Sequence, residues 1–147
     1  MIDYHRMLDV AISEAKLGLA EGGIPIGAAL TDANGNVQGR GHNQRVQLKN
    51  QILHAELDCL ANVGRWSDYG GTTLYSTLMP CYMCAGAVIQ FGIPKVVVGE
   101  SRNFAGAAGL LREHDVELID LDLLECTQLL GGFIAANPRL WSEDIGS

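Results

Sequence analysis

No apolar stretch in the 147 residues approaches the roughly 18 that would suggest a bilayer span, and the opening MIDYHRMLDVAISEAK has charges scattered through it instead of the apolar block of a secretory leader. These absences point to a cytoplasmic protein with no membrane segment. Basic residues are also few: 10 Lys and Arg stand against 17 Asp and Glu, and they form no cluster. A formal net charge of -7 repels a phosphate backbone, so nucleic acid is not expected as a partner and a small neutral molecule is. There are only four cysteines, Cys59, Cys81, Cys84 and Cys126. In an intracellular chain a Cys-x-x-Cys pair speaks for metal binding or redox chemistry more than for a disulfide framework. Repeats and low-complexity tracts are missing too, and a hydrophobic content of 48% suits one domain over residues 1–147 that buries about 70% of its unfolded surface.

Periodicity supplies the elements. Leu8, Ile12, Ala15 and Leu19 form the stripe of an amphipathic helix over residues 3–21, closed by Gly22 and Gly23. Residues 24–31 read as a buried strand, 32–36 as a turn with Asn34-Gly35 at its tip, and 37–41 as the returning strand. A helix is expected over 52–63, a strand over 72–78, a helix over 84–91, strands over 95–99 and 116–119, and a closing helix over 121–136 interrupted at Gly131-Gly132. Such alternation predicts an α/β fold with a mixed, largely parallel sheet and helices on both faces. Residues 104–111 (FAGAAGLL) read as a mobile loop or an interface. Residues 138–147 have little apolar periodicity and read as a tail packed over something else.

Two short segments stand out chemically: His54-Ala55-Glu56 and Pro80-Cys81-Tyr82-Met83-Cys84. One imidazole and two sulfurs offer three ligands to a tetrahedral zinc and leave the fourth position to water, the arrangement of catalytic rather than structural zinc. Bound in that way, a water loses its proton near neutral pH and can attack as hydroxide. Both segments are expected at helix N-termini, where partial positive charge favours thiolate. Glu56, two residues from the histidine, is a candidate proton shuttle and not a ligand. By itself the Cys-x-x-Cys pair is equally compatible with a redox couple; the upstream His-x-Glu tips the reading to metal. Cys59 and Cys126 read as buried hydrophobes, and His5, His42 and His114 as ordinary histidines, with His42 a mild exception for its neighbour Asn43.

His-x-Glu followed by Pro-Cys-x-x-Cys is similar to the signature of zinc-dependent nucleobase deaminases. The segments EGGIPIGAALTD, GRGHNQR, TTLYSTLMPCYMC, GIPKVVVGE and WSEDIG resemble, in order and spacing, the cytidine and deoxycytidylate deaminase superfamily, and within it the free-base cytosine deaminases of the fungal type. The resemblance implies a three-layer α/β/α sandwich around a five-stranded mixed sheet, one zinc per chain and a homodimer. It implies hydrolysis of cytosine to uracil and ammonia, with His54, Cys81 and Cys84 on zinc and Glu56 moving protons. It also implies that Asn43 and the Ala55 N–H bind the ring carbonyl edge, that Asp144 accepts from the exocyclic amine, and that Trp141 and Phe104 wall the ring. Without the resemblance, Asn43 reads as a turn cap, Trp141 as a core anchor and Asp144 as a solvated charge.

The chain departs from that pattern at three places: Met79 stands where the fungal type has serine, Val46 where it has an aromatic, and Ser142 where it has a second aromatic. Each alters the expected pocket, and two smaller groups would admit a larger ring. Guanine or another amino-heterocycle is therefore the alternative substrate. Adenosine in transfer RNA, or zinc binding without catalysis, are the remaining ones.

Overall fold

The computed structural model describes residues 2–147. The first apolar stripe becomes α1 (Tyr4–Ala20), capped by Asp3, whose carboxylate accepts from the Arg6 N–H at 3.2 Å. Strands β1 (Gly27–Thr31) and β2 (Val37–His42) form the opening hairpin. Its turn is held by the Asp32 carboxylate, which accepts from the Asn34 and Asn36 N–H groups, both at 2.9 Å. There follow α2 (Ala55–Val63), β3 (Thr73–Ser76), α3 (Tyr82–Phe91), β4 (Lys95–Val98), α4 (Ala108–Glu113), β5 (Glu117–Asp120), α5 (Leu124–Ala136) and α6 (Pro138–Ile145).

The five strands lie in the order β2-β1-β3-β4-β5. β1 pairs antiparallel with both β2 and β3, whereas the β3–β4 and β4–β5 pairs are parallel. The sheet is mixed as expected, but only half of its pairings are parallel. The antiparallel hairpin continues into β3 because β1 sits between β2 and β3, an order that hydrophobic spacing does not encode.

Strand alternation decides the layers. Ala28, Leu30, Leu74, Val96 and Val98 point to one face and join Ala55, Cys59, Leu60, Ala85, Val88 and Leu111 from α2, α3 and α4. Tyr75 and Val97 point to the other and meet Leu8, Ala11 and Ile12 of α1. α5 spans both clusters: Cys126 packs on the α1 side and Leu130 and Phe133 on the opposite side. The result is a three-layer α/β/α sandwich. α1 lies so close to β1 that a Cβ on Gly27 would meet the Ala11 carbonyl at 2.0 Å, so only glycine fits there. Among the described residues no helix is long and apolar enough to cross a membrane.

Several expected boundaries move, each for a local reason. The first strand begins at Gly27 and not at Ile24, because Pro25 has no N–H for a ladder and Ile26 N–H folds back to the Ile24 carbonyl at 2.8 Å. Helix α2 starts at Ala55 and not at Ile52: the Asn50 side chain accepts from the Ile52 and Leu53 N–H groups and holds them in a turn. Gly131-Gly132 does not interrupt α5, which runs unbroken. Residues 104–111 are not a free loop, since Ala107 and Leu111 are core residues and α4 begins within them, while Ala105 and Gly109 remain exposed. The terminal segment is a helix. Trp141, Asp144 and Ile145 repeat at spacings of three and one along α6, and Trp141 joins the main core.

A candidate zinc centre

Both ligand segments emerge on the same face of the sheet at helix N-termini. His54 is the N-cap of α2 and not a residue of its first turn as the sequence suggested; Cys81 is the N-cap of α3, with Pro80 immediately before it and Cys84 in the first turn. The turn leading into α3 is anchored on both sides. Thr77 Oγ1 accepts from the Gly27 N–H at 3.1 Å, and the Met79 N–H donates to the Glu100 carbonyl at 3.0 Å. These bonds bring Cys81 to His54 across the 26 intervening residues 55–80.

The ligand atoms of His54, Cys81 and Cys84 all lie within 4.8 Å of one another. His54 Nδ1 is 3.4 Å from Cys81 Sγ and 3.9 Å from Cys84 Sγ. A tetrahedral zinc with bonds of about 2.05 Å to nitrogen and 2.3 Å to sulfur would separate them by about 3.6 Å, so the donor set fits that ion. The electrostatics agree. A hydrogen bond from Cys84 and the neighbouring His54 hold the Cys81 thiol down to about 4, whereas the Cys81 sulfur and burial push Cys84 well above its ordinary value. Two sulfurs this close resist ionising together, and a divalent cation removes that conflict.

The other ring nitrogen of His54 faces Asp144, with Nε2 at 3.4 Å from Oδ1. Burial alone would lower the histidine's affinity for a proton, but Asp144, Cys81 and Glu56 outweigh it. A carboxylate behind a metal-ligating imidazole fixes ring orientation, so Asp144 has a second connection that sequence reasoning missed. Burial also raises the Asp144 carboxyl, yet His54, Arg45 and Asn43 together hold it below its usual range. Arg45 was missed as well. Its Nε donates to Asp144 Oδ1 at 2.7 Å, and its backbone N–H donates to Asn43 Oδ1 at 2.9 Å. Asn43 Nδ2 in turn donates to Asp144 Oδ2 at 3.1 Å. The signal available was the Asn43-Gln44-Arg45 run itself, but nothing in it named a partner almost a hundred positions away.

Beside the ligands lies a partly open pocket. Its floor is His54, Ala55, Glu56 and Cys81; its polar side is Asn43 and Asp144; its apolar walls are Ile26, Leu78, Met79, Phe104, Trp141 and Ile145. All nine residues singled out from the sequence therefore belong to one place: eight line the cavity, and Cys84 lies directly behind it. Phe104 and Trp141 meet edge to face, with centroids 6.1 Å apart at 89°. Glu56 is 4% exposed, and burial lifts its carboxyl to about 7 even against the pull of His54. A group with that affinity gives and takes protons readily at neutral pH. Of the three departures only Met79 lines the cavity. Val46 lines a separate groove with Arg45, Lys49 and Leu140, and Ser142 lines neither. The expected enlargement by Val46 and Ser142 is thus not found, because both side chains lie outside the walls.

Comparison with known proteins agrees with this architecture. A guanine deaminase from Nitrosomonas europaea superposes with a TM-score of 0.76 at 20% identity, over 88% of this chain and 83% of that one, a likeness of fold. The tRNA-specific adenosine deaminase of Bacillus subtilis is 39% identical over 84% of this chain and 83% of its own length. The cytosine deaminase of Candida albicans is 44% identical over 98% of this chain and 97% of its own. Residues 1–100 match the model of the cytidine and deoxycytidylate deaminase zinc-binding region, and with the ligand set, the sandwich and these relatives, the chain belongs to that family of zinc-dependent deaminases.

Proposed function

We propose that this enzyme deaminates free cytosine hydrolytically to uracil and ammonia. The observation that carries the reading is the pocket that sets Glu56 beside the three metal ligands and faces them with Asn43 and Asp144. Zinc held by His54, Cys81 and Cys84 would supply Lewis acidity that makes water a nucleophile at neutral pH. Glu56 takes a proton from the attacking water and passes it to the ring nitrogen beside the amine-bearing carbon, then takes the second proton from the hydroxyl now on that carbon and gives it to the departing amine as the carbonyl forms. Asn43 can present its amide to the ring carbonyl, helped by the Ala55 N–H, which lies in the first turn of α2 where helix N–H groups have no intrahelical partner. Asp144, kept ionised by Arg45 and Asn43, accepts from the exocyclic amine. Trp141 and Phe104 cover the ring and exclude bulk water.

The size of the ring follows from the walls. Met79 is bulkier than the serine of the fungal pattern and lies inside the cavity, while the two smaller replacements lie outside it, which favours a single pyrimidine ring over guanine. The wall formed by α6 and the net charge of -7 also disfavour a transfer RNA substrate. Ammonia release from cytosine, guanine and adenine measured side by side on the zinc-loaded enzyme is expected to show a clear preference for cytosine. Preference for guanine, or no turnover of cytosine by folded protein, overturns the assignment.

The same reading includes a homodimer in the cytoplasm. Tyr82 and Phe91 at the two ends of α3 are exposed apolar side chains of the kind an interface covers. Light scattering is expected to give twice the 15.8 kDa of one chain; a monomer mass removes the dimer.

A further inference from the structure

His42 is the last residue of β2 and lies directly before Asn43. Its ring is buried, with the side chain 8% exposed, and both nitrogens face carboxylates of α1 and the residue that ends it: Nδ1 is 2.9 Å from Glu14 Oε1, and Nε2 is 2.7 Å from Glu21 Oε1. A neutral imidazole has one N–H and can donate only once, so two carboxylate partners require the imidazolium. The ring fits because Gly18 of α1 lies under it; a Cβ there would come 3.1 Å from His42 Cδ2.

Every element packed around the ring adds to the same charge pattern. Beyond Glu14 of α1 and Glu21 at its C-terminal cap, Arg40 on β2 donates to Glu14 Oε2 at 2.8 Å. From α2, the Asp58 carboxylate accepts the His42 backbone N–H at 3.0 Å. From the segment after β2, Gln44 Nε2 donates to Asp58 at 3.4 Å and lies 3.3 Å from His42 Nε2 as a neighbour, not as a hydrogen-bond partner of the protonated ring, and Gln47 donates to Glu21 at 3.1 Å. Three carboxylates and one guanidinium leave an excess of negative charge, which the imidazolium offsets. Losing that proton would bring Glu14 and Glu21 against a neutral ring that can satisfy only one of them.

The knot ties together the elements that carry the ring-binding groups. β2 ends in it and continues into Asn43, whose backbone N–H donates to the carbonyl of Ile26, a cavity wall. Asp58 belongs to α2, the helix that presents Ala55 and Glu56. We propose that His42, clamped as an imidazolium between Glu14 and Glu21, is a positioning residue that holds Asn43 in register for substrate binding. The part concerning substrate rests on the reading of Asn43 as a ring-binding group.

The sign of the pH effect is defined. Burial tends to lower the proton affinity of His42, but Glu14 and Glu21 outweigh it and raise the value above the ordinary one, while the same contact lowers Glu21. The clamp is therefore complete at pH below the ordinary histidine value and is lost as pH rises through the raised one. An alkaline limb in KM is the expected consequence. KM should climb by about three- to tenfold, the scale of one weakened hydrogen bond to the ring, with kcat changing less.

Nitrogen NMR on the zinc-loaded protein tests the clamp without turnover. The His42 ring is expected to titrate above the ordinary histidine range, and the Asn43 side-chain amide to shift with the same midpoint. Glu21→Gln removes one half-exposed carboxylate charge. It should move that midpoint, and the KM limb on cytosine with it, to lower pH. An Asn43 amide that ignores the His42 titration overturns the proposal, as does a KM limb that stays in place when Glu21→Gln shifts the His42 midpoint. Failure of the cytosine assignment would show separately, as absence of ammonia with the NMR titrations intact.

Discussion

Glu56→Gln is expected to lower kcat by at least about 10³-fold, the range that removal of a general acid-base group costs, or about 4 kcal/mol in the barrier. Gln has nearly the same shape and retains a carbonyl oxygen, so it can occupy the 4%-exposed position without opening a void. What it cannot do is accept a proton and return it. The reaction as proposed moves two protons through this one carboxylate, and its affinity near 7 suits both directions at neutral pH. Because Glu56 is not among the residues that would hold the metal, zinc content should remain one per chain and the folded structure should persist. Ammonia release, metal analysis and circular dichroism on the same preparation separate these effects. A fully active variant would sink the shuttle role, and an inactive one that had lost zinc would make Glu56 a ligand instead.

Cys81→Ala should have a comparably large effect by a different route. It leaves His54 and Cys84 as a two-ligand site, deletes the sulfur that is held near a pKa of about 4, and leaves Cys84 as the only remaining source of thiolate charge. Zinc content is expected to fall to a small fraction of one per chain, and turnover with it to background. Stability should drop as well, because the ion would join the N-termini of α2 and α3, which the chain otherwise links only through residues 55–80. The protein should nonetheless fold: the two apolar clusters that flank the sheet do not include Cys81. Metal analysis and thermal unfolding check this together. Full zinc occupancy in Cys81→Ala would remove Cys81 from the ligand set.

The parts of the site that were legible in one dimension share a property: their chemistry is carried by neighbours in the chain. His54 and Glu56 are two residues apart, Cys81 and Cys84 three, and each pair is presented by a single helix N-terminus, so spacing alone brings the right atoms to one place. α1 was legible for the same reason, because four apolar residues at helical spacing define its face without help from elsewhere. α6 was not. Its buried edge of Trp141, Asp144 and Ile145 contains a charged residue, and a carboxylate breaks an apolar pattern unless its partners Arg45, Asn43 and His54 are known. His42 was passed over because an isolated histidine in a sequence gives no sign of Glu14 on α1 and Glu21 at its cap, which meet it there. Val46 and Ser142 were given pocket roles from alignment with a pattern, but direction of a side chain depends on the backbone that carries it.

By itself, then, the sequence pointed to zinc, to His54, Cys81 and Cys84 as the group that could hold it, to Glu56 beside them, and to an α/β fold, since each rests on local spacing or on composition. Tertiary structure alone decided the strand order, the half-antiparallel sheet, the pocket wall formed by α6 and Phe104, and the network from Arg45 through Asp144 to His54. Those depend on contacts between residues up to about a hundred positions apart, and such distances are set by packing, which a linear spacing of residue types does not contain. The division has a chemical meaning: local motifs specify that a carbon-nitrogen bond is hydrolysed, and in the function proposed above the packed walls around Met79, Asn43 and Asp144 select which ring carries it.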